Sequence, residues 1–558
     1  MRKGSIIIFL LPMIVFMACS KGDSPDPSPA PVLPIAVSVI KFDNVTASTG
    51  VVNYNVKLLP VIKLSFNNAV DKSTVPGGIK LTDNNSAVVT TSVSYENSDS
   101  TVVLTPAQLT GLARYTLTAS TALKSVKGGA MTADVTVNFI SQIDSVNKFT
   151  VISDNALLDL VQQQTFKYFW DYGHPTSGLA RERSNAAPET VTTGGSGFGI
   201  MSIPVAISRN FITRAQGLAR MQTIVSYLKN TAQKFHGAFP HWLNGTTGAV
   251  IPFSTKDDGA DLVETSYLVA GLLTARQYFN GTDAAETALR SDINTLWNAV
   301  EWNWFRQGTQ NVLYWHWSQN YGWQMNQKIE GWNECLVTYL LAASSTTYGI
   351  PKVVYTEGFA RNGAMQNGTS YYGYPLPLGG SNGGPLFFAH YSFLGINPNG
   401  LTDAYANYQT QVTNHTKINY SYCTANPKNF FGYSNLCWGL TASDVPNGYN
   451  ANQPDNDIGV ISPTAALSSM PCTPTESMNA LKFFYYKLGD KIWGQYGFVD
   501  AFSLKDLWYA NSYLAIDQGP IIIMIENYRS GLVWNLLTSC PEIKNGMKNV
   551  LGFSAPYL

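Results

Sequence analysis

Three stretches of the chain place acidic side chains where they could do chemistry. In Lys256-Asp257-Asp258-Gly259-Ala260-Asp261-Leu262-Val263-Glu264 a polar loop turns into an apolar run. Asp257, Asp261 and Glu264 are spaced i, i+4 and i+7, so a continuous helix would put them on one face. Crowded carboxylates raise at least one pKa, which lets one carboxyl stay protonated as an acid. Acids at a helix start are also favoured by the dipole and by capping alone, and the spacing leaves both readings open. In the second stretch, Trp315-His316-Trp317 precedes Lys328-Ile329-Glu330-Gly331-Trp332-Asn333-Glu334, with apolar Leu336, Val337, Leu340 and Leu341 following. Glu330 and Glu334 are four apart. A Glu beside Trp and Asn suits a general acid, because apolar surroundings raise its pKa; an ordinary charged helix start has the same pattern. In the third, Asp517 stands ahead of Gly519-Pro520 and an apolar helix that carries Glu526 and Arg529, a spacing fit for an internal ion pair. Asp517 is either a cap or a site residue.

These acids come from separate helix starts, which a ring of helices can bring to one end. Two carboxyl groups facing each other across a sugar are what glycoside hydrolysis needs. Other chemistries lack their signatures. The chain has no G-x-x-x-x-G-K-[ST] and no H-E-x-x-H. Gly194-Gly195-Ser196-Gly197 has the wrong spacing for a nucleophile elbow. His241 and His316 are expected to hydrogen-bond sugar hydroxyls.

The elements that must position these groups change character along the chain. Residues 35–145 hold short alternating runs, such as Val61–Phe66, Thr101–Thr105 and Val135–Phe139, separated by Pro76-Gly77-Gly78, Asp83-Asn84-Asn85 and Gly128-Gly129. That spacing predicts a small all-β sandwich, a spacer or a carbohydrate-binding module. From about residue 150 the period becomes helical. Leu157 to Trp170 marks one helix, and Thr213-x-x-Gln216 opens another with a capping-box pattern. Asp283-x-x-Glu286 opens a third, and Thr473-Pro474-Thr475-Glu476 combines an N-cap, a Pro at the first position and a Glu at the third. Further helices are expected over 261–279, 328–344, 401–417 and 520–537. Long aromatic, Gly-rich loops are expected over 180–201, 236–257, 306–327 and 364–396. The reading is a mainly α toroid over 150–558 behind the sandwich.

Composition agrees with a neutral, hydroxyl-rich ligand. Lys+Arg and Asp+Glu are both 36, so there is no electrostatic footprint for nucleic acid. Charged residues are 13% of the chain, about half the usual share. With 13 Trp, 30 Tyr and 26 Phe, there are rings enough to stack on sugar faces, or to fill a large core.

Residues 1–19 read as an export signal: Arg2 and Lys3, then the apolar run Ile6 to Met17, too short to span a bilayer. It closes on Phe-Met-Ala-Cys, which resembles a bacterial lipobox with Cys19 as the lipidated residue. Membrane contact is expected only through that lipid, at the periplasm or outer-membrane surface. Residues 20–34 form a Pro-rich linker. The other five Cys show no C-x-x-C pair, so no metal is expected. Cys423 and Cys437 are the nearest pair for a disulfide.

With these residues in hand, 150–555 resembles the glycoamylase-like family of helical toroids, and more closely the β-1,2-glucanases of glycoside hydrolase family 144. The matching pieces are Thr165–Trp170, Gly197-Phe198-Gly199, His236–Trp242, the 257–264 cluster, Glu330–Glu334, Gly384–Phe387 and Asp517–Pro520. The segment before it resembles bacterial immunoglobulin-like (Ig-like) domains. The resemblance implies an (α/α)6 barrel, no cofactor, and inverting hydrolysis of β-1,2-glucan by a monomer. By motif, Asp257, Asp261 and Glu264 match the family's essential acids and Glu334 its proton donor, while Asp257, Asp261 and Asp517 compete as base. Arg183, His241, Trp242, Trp315, His316, Glu330, Trp332, Phe387 and Trp438 are expected to bind substrate. The rivals are a same-fold hydrolase of another glucan and a non-catalytic glycan-binding lipoprotein.

Overall fold

Strand alternation builds the N-terminal part of the chain. In Ile62–Phe66 every second side chain is buried, giving Ile62, Leu64 and Phe66 to the interior. A computed structural model describes residues 32–558. The expected signal (1–19), Cys19 and nearly all of the linker (20–34) lie outside the described residues. The chain divides between Gln142 and Ile143. In the first unit, one sheet has the order Val45–Thr46, Val37–Phe42, Ile62–Phe66, Thr101–Pro106, Thr91–Glu96. The other has the order Val52–Val56, Val135–Ser141, Arg114–Ala119, Ile79–Asp83. All pairs are antiparallel except Val52–Val56 with Val135–Ser141, where Val52 pairs with Asn138. Ile62, Leu64 and Leu104 from the first sheet join Leu81, Leu117, Val137 and Phe139 from the second in one core, the sandwich arrangement.

The second unit, from Ile143, is helical, and two kinds of helix alternate along it. Asp154–Trp170, Arg214–Asn230, Ala284–Ala299, Tyr408–Ala425 and Pro474–Ile492 each bury one stripe and expose the rest. Between them come Thr193–Ser208, Leu262–Tyr278, Leu336–Ser344, Pro463–Leu467 and Ala515–Arg529, buried nearly all round. Helices of the second kind can be stable only when covered on every side. Local chemistry sets the starts. Thr213 and Gln216 form the full capping box, and Asp283 accepts from Ala285 and Glu286 N–H. Thr473 does not cap its helix: its hydroxyl turns to Ser477 Oγ.

Five expectations are corrected. The loop expected over 180–201 ends at Thr193, where the helix Thr193–Ser208 begins. Its glycines serve contact: a Cβ on Gly197 would collide with the backbone at Tyr267, and one on Gly271 with the backbone at Gly197. These two helices therefore cross at backbone distance. The 328–344 helix starts only at Leu336, because Lys328–Ile329 pairs as a strand with Leu313–Tyr314. The 520–537 helix is two helices, Ala515–Arg529 and Leu532–Ser539, broken at Gly531 with φ +69°. The 401–417 helix runs Tyr408–Ala425, capped by Asn407 on Thr410 N–H. The Cys423–Cys437 bridge is also absent: both are buried free thiols. Among the described residues no helix is long and apolar enough to cross a membrane.

Candidate active site

The acids of 257–264 meet, but not along one helix face. The helix begins at Leu262, and Asp261 is its N-cap: Oδ1 accepts from Val263 N–H at 3.0 Å and Glu264 N–H at 2.9 Å. Asp261 sits in a two-residue strand whose register sets it opposite His316. That pairing, not helical spacing, brings the His316 imidazole in. Asp261 Oδ2 lies 3.1 Å from His241 Nδ1 and 3.6 Å from His316 Nε2. Asp257, in the preceding loop, lies 3.8 Å and 3.5 Å from the same two nitrogens. Glu264, on the first helical turn, accepts from Gly194 N–H at 2.7 Å. This contact needs a glycine, since a Cβ on Gly194 would press on the Glu264 carboxyl and the Tyr267 ring.

Burial and charge then divide the roles. Burial alone would raise the Asp261 carboxyl, yet hydrogen bonds and charge from His241 and His316 drive it well below the usual range. Burial, then the charge of Asp261, raises Asp257 to about 6. Burial raises Glu264 to about 7. Burial would depress His241, but Glu264, Asp261 and Asp257 outweigh it and lift the imidazole to about 10. His241, Asp257 and Asp261 bring ligand atoms within 4.8 Å of one another, close enough to hold a cation. The imidazolium of His241 already supplies positive charge there, which disfavours a second cation.

Glu334 lies just before the Leu336–Ser344 helix. Its carbonyl takes the hydroxyl of Ser392, and burial lifts its carboxyl to about 7, with Asp261 adding to the rise. Tyr391 stands in the fields of Asp517, Glu334 and Glu264 together. It therefore links the first cluster to a second. There, Asp517 lies in the first turn of Ala515–Arg529, and Asp500 is close enough to hydrogen-bond to it. Asp500 Oδ2 accepts from Asp444 N–H at 2.7 Å. Asp444 in turn takes Arg183 Nη1 at 3.0 Å and the hydroxyl of Ser512. Burial raises both Asp500 and Asp517; Asp500 raises Asp517 further by its charge and hydrogen bond, while the hydrogen bond with Asp517 lowers Asp500.

The expected sugar-binding residues part company. Trp242 donates from Nε1 to Glu182 Oε2 at 3.2 Å and meets Phe253 at 4.9 Å. Phe253 stacks on His241 at 4.2 Å and is half exposed. Trp315 lies nearly parallel to His316. Phe387 packs on Tyr391 at 5.2 Å, and Arg183 is tied to Asp444. Trp438 and Trp332 are corrected: Trp438 is fully buried with its N–H on Glu476 O, and Trp332 is buried against Phe393 and Tyr408. Both fill the gaps between helices. Glu330 is exposed, because its stretch is strand and turn instead of helix, and no hydrogen bond or ion pair joins it to the acids. Sequence reasoning missed Glu182, Tyr391, Asp444, Tyr449 and Asp500. Glu182 adjoins Arg183, and the Pro446-Asn447-Gly448 turn signals the hairpin that carries Asp444 and Tyr449. Nothing local marks Asp500.

Two groups of buried acids joined through Tyr391, on a frame of alternating helices, are the setting a helical glycoside hydrolase needs. Residues 326–541 match the Glycoamylase family and residues 36–141 match the bacterial Ig-like domain. The endo-β-1,2-glucanase of Chitinophaga pinensis, solved with sophorotriose and glucose, is 52% identical over 73% of this chain and 100% of that one, with a TM-score of 0.71. The β-1,2-glucanase structure from Parabacteroides distasonis is 37% identical over 94% of this chain and 74% of that one, with a TM-score of 0.70. The chain belongs to the glycoamylase-like family that includes these proteins. An exo β-1,2-glucooligosaccharide sophorohydrolase (non-reducing end) of Parabacteroides distasonis is 45% identical over 420 residues, 72% of this chain and 58% of that protein. The chain thus spans a little over half of that curated relative's length.

Proposed function

We propose that this protein hydrolyses β-1,2-glucan or its oligosaccharides with inversion, on an (α/α)6 barrel formed by the alternating helices. The observation that carries the reading is Glu334, a carboxyl held neutral to about pH 7 by burial, with ionised and ionisable acids on both sides of Tyr391. Glu334 gives its proton to the leaving glycosidic oxygen as the bond from the anomeric carbon breaks. A water forms the new bond to that carbon and loses a proton to the base. Prior commitment selects the base among the three competitors. Both Asp261 oxygens are taken by two N–H groups and two imidazoles. Asp257 Oδ2 serves the same imidazoles, and its Oδ1 is sealed from solvent. Asp517 meets neither an imidazole nor a cap hydrogen bond, so the least committed of the three, Asp517, is the base.

The identity to the C. pinensis endo-glucanase supports the linkage. Release of short products from chain ends is favoured by one observation: the 45% identity, over 72% of this chain, to the P. distasonis exo-sophorohydrolase. Both readings meet one test. The chain from Ser20 onward is mixed with linear β-1,2-glucan, with starch as control, and product size and anomeric form are followed by NMR. Short β-1,2-linked products in the α-anomeric form are expected from the first polymer only. Glucose from starch, or β-anomeric products, would overturn the linkage or the inversion.

A further inference from the structure

Asp500 lies outside every motif that announces the site, on the short stretch before the strand Phe502–Ser503, and is 2% exposed. Its two oxygens have different fates. Oδ2 accepts the Asp444 backbone N–H at 2.7 Å. Oδ1 is buried and receives no donor from any protein N–H or O–H. Asp517 repeats the pattern: its Oδ2 is buried without a donor. An unpaired buried carboxylate oxygen is costly, and two such oxygens on neighbouring residues satisfy each other only through a proton. The surroundings fix how many protons the pair holds. The groups that face it are Asp444, Glu182 and Arg183, with the neutral phenols of Tyr168, Tyr391 and Tyr449. Arg183 is the one cation among them, and its guanidinium is committed to Asp444. No second positive charge is at hand to let both carboxyls ionise together.

We propose that Asp500 is a positioning residue for Asp517, the two carboxyls holding one proton between Asp500 Oδ1 and Asp517 Oδ2. The shared proton pins the Asp517 carboxyl and leaves Oδ1 as its acceptor towards the reacting water. Asp444 and Arg183 steady Asp500 from behind, so a loop, a hairpin and an inner helix converge on one oxygen atom. The role in catalysis rests on the hydrolase reading above; the shared proton does not.

Infrared spectra of substrate-free protein labelled with 13C at the aspartate carboxyls test the pair directly. The pH is set at about 8, above the range where Asp257 titrates. The unmodified protein should show the band of a protonated aspartic acid, and Asp500→Asn should lack it, because Asp517 then ionises with an amide donor beside it. Absence of the band from the unmodified protein overturns the proposal, as does its persistence in Asp500→Asn. If Asp500→Asn fails to fold, the band in the unmodified protein and its loss in Asp517→Asn decide. A second readout addresses catalysis. The acidic limb of kcat/KM on β-1,2-glucan should move up by about one unit in Asp500→Asn, because a lone carboxylate takes a proton more readily than a pair already sharing one, whereas a merely structural residue would lower the rate and leave the limb in place. Inactivity of the unmodified protein on the glucan would sink the hydrolase reading while the infrared result still stands.

Discussion

The two acidic groups of the site are built from the same residue type and stabilised in opposite ways. At the start of Leu262–Tyr278, Asp257 and Asp261 are compensated by two imidazoles, and Asp261 by two backbone N–H groups besides. At the start of Ala515–Arg529, Asp517 has neither imidazole nor cap bond, only a second carboxyl and an arginine one residue removed. The first group is therefore ionised and locked. The second retains a proton and is tied to no cation or backbone donor of its own. One architecture thus yields an anchor and a working acid–base group from the same chemistry, the difference lying in what each carboxylate is offered as partner.

Substitution should separate the two most sharply. Asp517→Asn should lower kcat on β-1,2-glucan about a hundred- to ten-thousand-fold with little change in melting temperature, because asparagine imitates a protonated carboxyl. Asp261→Asn should lose activity as well, and also about 3 kcal/mol of stability, since it strands His241 in a buried site. Equal losses of stability in the two variants would erase the distinction. pH gives a smaller contrast. His241 is raised to about 10 in the folded protein, so the stability it contributes is fully present below its unfolded value of about 6.5 and fades as pH rises through about 10. Chemical denaturation between pH 7 and pH 10 should show that decline in the unmodified protein and a flatter profile in His241→Gln. Smallest is the contrast between two tryptophans. Trp242→Phe should raise KM several-fold with stability within about 0.5 kcal/mol. Trp438→Phe should do the reverse, costing about 1–3 kcal/mol by leaving space and removing the hydrogen bond to Glu476 O.

Much of this was legible in the residues. One-faced helices announce themselves by period, and the Thr213–Gln216 box and Asp283 cap mark their starts. The 257–264 cluster was visible as a concentration of acids. The reason it works was not: a two-residue strand pairing places His316 beside Asp261, and no window of sequence holds both. The Thr193–Ser208 helix was illegible for a related reason. Gly194, Gly195, Gly197 and Gly199 argue against a helix by propensity, at about 0.5–1 kcal/mol each. Tertiary contact overrides that local preference, because Gly194 meets Glu264 while Gly195 meets Ala515. The same helix thus lies against both acidic groups. Asp500 was invisible because its meaning resides wholly in a neighbour seventeen positions away.

The five cysteines among the described residues are all free, and four of them are buried. Among these residues there is no disulfide for glutathione to break, and the four buried thiols are shielded from oxidants so long as the helices stay closed. How long the molecule lasts is then set by the rate at which those helices part, and any thiol-reactive reagent becomes a clock for that opening.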